Sequence, residues 1–240
     1  MPNVSAQNAL ANVLDAPRYT AIVPVANTND ESLIQEVHNN ADAAELRIDL
    51  MDPFPGLDGL LLLANKFGRL PLLATFREES HGGHWSGSPY YKLGLLAKVS
   101  QWVHGIDIEY DFPLLDEVVQ AVDRRVVIVS MHDFDGVPPF AKMVSSYERA
   151  RRAGADYFKV AATPRHEGDI EQLSLFMRAH QGDPVIAVAM GEHGIEGRKR
   201  LLRLGSRATY AYVGDDPLVP GQLSLAEYRE FAETQPRKKA

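Results

Sequence analysis

Lys159 lies in the β-rich run Ala155–Thr163, where Tyr157, Lys159 and Ala161 share one face by strand alternation. In the run before it, Arg125–Phe134, Ile128, Ser130 and His132 share a face. A lysine and a histidine on adjacent strands suggest a reaction class. A lysine whose pKa is lowered by nearby cations and desolvation attacks a ketone and forms an iminium. The iminium is an electron sink that acidifies the adjacent C–H, so an imidazole can remove that proton near neutral pH.

The alternation recurs at other strand ends. Glu45, Arg47 and Asp49 share one parity, and the apolar residues between them share the other. Ile106-Asp107-Ile108-Glu109 repeats the pattern, and Leu73, Thr75 and Arg77 share a face in a third run. One mouth is therefore expected to hold Glu45, Arg47, Arg77, Asp107, Glu109, His132 and Lys159. Burying that many ionisable groups is costly unless they pair with each other or serve a ligand. Any single one reads equally well as half of an internal ion pair. Asp107 and Glu109 in particular read as partners that orient or neutralise the inner cations.

Eight β-rich runs must position these residues: Tyr19–Val25, Ala43–Leu50, Leu70–Arg77, Gly105–Asp111, Arg125–Phe134, Ala155–Thr163, Pro184–Gly191 and Arg207–Gly214. Helical patterns lie between them at Asp30–Asn39, Leu57–Phe67, Pro89–Val103, Pro113–Val122, Pro139–Ala153, Gly168–His180 and Gly194–Leu204, and a last one follows at Ser224–Thr234. The alternation predicts an α/β fold, a single-domain (β/α)8 TIM barrel over 19–236. An N-terminal extension (1–18) precedes it and a basic tail (237–240) follows. An open doubly wound sheet fits less well. No Gly-rich phosphate turn follows the first strand, and polar strand ends recur along the whole chain rather than at one switch point.

The chain's 240 residues suit such a barrel. The absence of cysteine excludes disulfides, thiolate nucleophiles and cysteine metal sites. A net charge of −7 disfavours a general nucleic-acid binder. No run approaches the ~18 apolar residues of a membrane span, and residues 1–18 lack a signal-peptide pattern. These features predict a cytoplasmic protein acting on a small molecule, with no nucleic-acid or membrane partner.

The ordered motifs Glu45-Leu46-Arg47-Ile48-Asp49, Ala74-Thr75-Phe76-Arg77, Ile106-Asp107-Ile108-Glu109, Ser130-Met131-His132-Asp133-Phe134, Gly154-Ala155-Asp156, Lys159-Val160-Ala161, Ala189-Met190-Gly191 with Arg198, and Pro220-Gly221-Gln222-Leu223-Ser224 resemble the type I 3-dehydroquinate dehydratases. The resemblance runs from about Tyr19 to the end. It implies a (β/α)8 barrel that converts 3-dehydroquinate to 3-dehydroshikimate in the shikimate pathway of aromatic amino acid biosynthesis, without metal or organic cofactor. It implies that Lys159 forms the Schiff base and that His132 is the general base and acid. Arg198 and Gln222 are implied to hold the substrate carboxylate end, and Glu45, Arg47 and Arg77 the ring hydroxyls. Met190 is implied as an apolar wall. A homodimer is plausible on the same ground.

The chain departs from that family in places. His81, in Ser80-His81-Gly82-Gly83, stands where many members carry an acidic residue that pairs with the catalytic histidine. The departure bears on the pKa of His132, and Glu78 or Glu79 are the substitutes the sequence offers. Leu218 stands where a polar substrate contact is common, with Asp215 or backbone as a replacement, and Gly197 stands where serine is common. Three other functions stay open. A metal-dependent barrel phosphodiesterase would use Glu45, Asp49, Glu109, His132 and Asp133 as ligands. A Schiff-base aldolase would share Lys159 alone. A sensor would keep the dehydroquinate pocket without turnover.

Overall fold

The computed structural model describes residues 9–26, 30–122 and 125–235. The basic tail predicted at 237–240 lies outside them. The strands are β1 (Ala21–Val25), β2 (Ala43–Arg47), β3 (Leu72–Thr75), β4 (Gly105–Glu109), β5 (Val126–Asp133), β6 (Tyr157–Ala162), β7 (Val185–Ala189) and β8 (Thr209–Tyr212). They pair in parallel in the order β7-β6-β5-β4-β3-β2-β1-β8. The helices are α1 (Ala9–Leu14), α2 (Glu31–Asn40), α3 (Gly56–Lys66), α4 (Pro89–Val99), α5 (Leu115–Ala121), α6 (Phe140–Ala153), α7 (Glu167–Ala179), α8 (Gly194–Arg203) and α9 (Leu225–Thr234). This is the barrel expected from the alternation.

Strand parity produces two cores. One face of the sheet buries Val23, Leu46, Ala74, Ile108, Val129, Phe158 and Ala187 under the surrounding helices. The other face fills the barrel interior with Ile22, Leu73, Ile128, Tyr157, Ile186 and Tyr210. Pro89 opens α4, where its missing N–H costs least. Gly154 ends α6 at φ +93, in the left-handed region that glycine enters without a Cβ clash.

Two features had no signal in the sequence reading. The first is α1, in the segment read as an extension. Leu10 and Leu14 are fully buried and pack with the interior core at its N-terminal end. Gly105 leaves the room, since a Cβ there would lie 2.7 Å from Leu10 Cδ2. The second is the joint between β7 and β8. Where the other neighbours share ladders, Arg207 N donates to Val185 O (2.9 Å). The Ser206 hydroxyl then bridges the strands, accepting from Ala187 N (3.0 Å) and donating to Ala208 O (2.8 Å). A two-residue strand, β9 (Leu223–Ser224), adds to β8.

Candidate active site

The register sets the chemistry side by side. Ser130 on β5 lies opposite Lys159 on β6, and His132 lies opposite Ala161 one step nearer the mouth. Both side chains therefore point inward at the C-terminal end of the barrel. They line a cavity of about 330 Å³ together with Glu45, Arg47, Arg77, Arg198 and Gln222. That size suits a small carbocyclic acid. All seven predicted site residues are thus brought together. Apolar walls come from Met190, Phe134, Leu218 and Val219.

Asp107 and Glu109 are not at the mouth, where parity placed them. They lie beneath it, at 1% and 0% exposure. The cations above hold them there. Arg77 donates to Asp107 (2.5 Å), to Glu109 (3.0 Å) and to Ser130 (2.8 Å). Ser130 and Lys159 also donate to Asp107, at 2.5 and 3.0 Å. Buried Lys92 donates to Glu109 (2.5 Å). Burial pushes the Asp107 carboxyl up, but the charges of Arg77 and Lys159 outweigh it and bring it down to about 2. Glu109 is lowered in the same way, burial being overcome by Arg77 and Lys92. Cations were expected to surround Lys159; instead its nearest charged partner is a carboxylate. Its ammonium also sits 4.3 Å from the Tyr210 ring centroid.

The hydroxyl-binding candidates are held as well. Thr75 donates to Glu45 Oε1 (2.6 Å), and Arg47 grips Asp49 through Nε (3.0 Å) and Nη2 (2.7 Å). Burial pushes His132 well below the usual imidazole value, and Arg77 and Lys159 push it further. The ring is thus kept neutral, the form a general base needs.

Arg198 is different. It is 2% exposed and donates to the Tyr210 carbonyl (2.8 Å), while its Nε has no partner among the described residues. Burial lowers it to about 9, with no carboxylate among the causes. A buried cation with a spare donor is prepared for an anion. Gln222 arrives beside it through a glycine contact. Gly191 N donates to Pro220 O (2.8 Å), and Gly221 (φ +76) packs so closely that a Cβ would lie 2.1 Å from Gly191 O.

The sequence profile of the type I 3-dehydroquinase family matches residues 21–237. The chain belongs to the type I 3-dehydroquinase family. A 3-dehydroquinate dehydratase of Methanococcoides burtonii is 31% identical over 90% of this chain and 94% of its own. A catabolic 3-dehydroquinate dehydratase of Acinetobacter baylyi is 26% identical over 93% and 88%. A type I 3-dehydroquinate dehydratase from Clostridium difficile, solved with covalent modified comenic acid, superposes with TM-score 0.82. It has 27% identity and covers 90% of this chain and 92% of its own.

Measured against the dehydratase motifs, the sequence reading missed Asp111. His81 Nε2 hydrogen-bonds Asp111 Oδ1 at 2.9 Å, while Glu78, one of the two substitutes considered, turns to Lys92 at 3.3 Å. Asp111 lies in the turn after β4 with its side chain half exposed, so strand parity carried no signal for it. Tyr210 was also missed, because a tyrosine in a strand carries no charge signature. Among the described residues no group of three His, Asp or Glu converges as metal ligands. Of the carboxylates that a phosphodiesterase would need, Asp49 is held by Arg47, Glu109 by Arg77 and Lys92, and Glu45 by Thr75, while Asp133 accepts from the Asp135 backbone N–H. No described helix is long and apolar enough to cross a membrane.

Proposed function

We propose that this chain dehydrates 3-dehydroquinate to 3-dehydroshikimate through an imine on Lys159, with His132 as general base and acid. The observation that carries this is one cavity joining Lys159 and neutral His132 to a buried Arg198 with no counter-ion among the described residues. The amine of Lys159 adds to the ring ketone and water leaves, giving the iminium. His132 takes a proton from the adjacent carbon, and the C–H electron pair moves into the enamine. The histidine then returns its proton to the departing hydroxyl, the enamine pair forms the new C=C, and a second water leaves. Hydrolysis of the conjugated imine frees Lys159. Arg198 and Gln222 hold the carboxylate, while Glu45, Arg47 and Arg77 face the ring hydroxyls.

The test is incubation with 3-dehydroquinate, reading the enone absorbance of 3-dehydroshikimate, followed by borohydride and mass spectrometry. His132→Ala should trap the imine, giving a borohydride-stable Lys159 adduct while turnover falls by roughly 10²–10⁴-fold. Normal turnover in that variant would remove His132 from its role. An adduct without turnover in the unaltered protein would instead favour the sensor.

Arg198→Met separates binding from folding. The variant should raise KM by roughly 100-fold, the worth of a charged, forked hydrogen bond. Its melting temperature should stay level or rise, because a desolvated and uncompensated cation is removed. A large drop in melting temperature with unchanged KM would show Arg198 to be structural.

We place the enzyme in the cytoplasm, as a biosynthetic protein without a membrane-crossing helix among its described residues. We also propose a homodimer. Support comes from the exposed Leu62 on α3 and Tyr90 and Tyr91 on α4. Light scattering decides the mass.

A further inference from the structure

His132 must carry a positive charge midway through the reaction, amid Arg77, Lys159, Arg47 and, whenever its own ring is protonated, His81. Asp107 is already shared by Arg77, Ser130 and Lys159. On another side of His132, the His81 ring stands edge-on with centroids 6.0 Å apart and planes at 85°. Both rings bury an Nδ1 that has no partner among the described residues. His81 uses its other nitrogen, Nε2, on Asp111. The Phe134 ring lies nearly parallel to His132, with centroids 6.3 Å apart.

We propose that Asp111 and His81 act together as positioning residues for His132, orienting its ring and supporting its protonated form. The proposal rests on the dehydration reading above. An ionised carboxylate only accepts hydrogen bonds, so Asp111 selects the tautomer of His81 with the proton on Nε2. The hydrogen bond from His81 holds the Asp111 carboxyl below its usual range, with burial opposing and the charge of Lys142 assisting. His81 Nδ1 is then a lone pair inside the site. When His132 is protonated, both of its nitrogens donate. One faces the chemistry, and the other needs an acceptor that His81 Nδ1 can provide. At 6.0 Å between centroids a slight ring rotation or one bridging water closes the link, a tightening expected when ligand fills a site.

The other groups around the pair are accounted for. Tyr110 packs edge-on against His81 (6.0 Å), and Lys142 lies over the Tyr110 ring. The Asp111 side chain is half exposed, at 51%. Solvent therefore weakens its influence, and the expected effect is moderate.

Asp111→Asn should lower kcat by roughly 10-fold and leave KM within about threefold. Borohydride should still label Lys159 in the presence of 3-dehydroquinate. The primary deuterium isotope effect should rise, as proton abstraction becomes slower. The His132 ring, followed by 15N NMR in the ligand-free protein, should titrate at lower pH than before. His81→Glu would bring a carboxylate to His132 directly, so adding Asp111→Asn to it should change kcat less than twofold. Equal losses from Asp111→Asn in both backgrounds would overturn the coupling. So would an unchanged His132 titration in Asp111→Asn. Absence of the Lys159 adduct in the unaltered protein would sink the dehydration reading instead, and the NMR titration would still decide the coupling.

Discussion

Lys159→Ala is expected to lower turnover of 3-dehydroquinate by at least about 10⁴-fold, the scale of losing one member of a catalytic unit. Borohydride labelling should vanish with it. Among the described residues that line the cavity, Lys159 is the one lysine. Lys92, on α4, is fully buried, held by Glu109 and Glu78, and does not line the cavity. The fold should survive, because Asp107 keeps Arg77 and Ser130 as partners when Lys159 is removed. Binding of the substrate carboxylate should also survive through Arg198 and Gln222, which calorimetry can read. Lys159→Met controls for lost volume and should behave alike. Residual turnover within tenfold of normal, or a label on another lysine, would contradict the assignment.

Asp107→Asn is expected to cost about 3–5 kcal/mol of stability, the cost of breaking a buried ion pair from one side. The substitution preserves shape but leaves Arg77 and Lys159 facing a neutral amide at 1% exposure. A lowered urea midpoint is the measurement, and a shift below about 0.5 kcal/mol would mean that water or Glu109 already compensates those charges. The pH dependence follows the same carboxyl. Its value is near 2 when folded, against 3.8 unperturbed. Its stabilisation is therefore complete above about pH 5 and is lost as pH falls through 4 towards 2. Glu109 is lowered too and adds in the same direction. His132 acts earlier. Its folded value lies below 6.5, so below that pH the unfolded chain binds a proton that the folded chain refuses. Urea midpoints should thus decline in two stages on acidification, and Asp107→Asn should flatten the lower one.

The barrel was legible because its signal is periodic. Alternation in 44–49, 106–109 and 157–161 told inside from outside at each strand, and every predicted run contains an observed strand. Glu45, Arg47, Arg77, His132 and Lys159 were legible because ionisable side chains on an inward strand face are unusual, whereas Arg198, on a helix, and Gln222, in a loop, were reached only through the family resemblance. Depth was not legible. Parity says which face a side chain takes but not its level, so Asp107 and Glu109 were assigned to the mouth although Arg77 and Lys159 lie over them. Loop contacts were harder. His81 meets Asp111 thirty residues away, through backbone geometry that no local pattern encodes. The helix α1 was missed for another reason. Six residues, Ala-Leu-Ala-Asn-Val-Leu, are too few to display a helical period, and their stability comes from the barrel floor they fill.

The joint between β7 and β8, held by the Ser206 hydroxyl, also bears on the chemistry. A ring with one softer seam can breathe there at less cost than elsewhere. The pocket wall straddles that seam. Arg198 stands on α8, beyond β7, and already reaches across to the Tyr210 carbonyl on β8, while Gln222 follows β8. On the proposed reading, a carboxylate held by both would act as a rivet, completing the ring that the main chain leaves partly open. The substrate would then tighten the scaffold that acts on it, and product release would return the ring to its looser state.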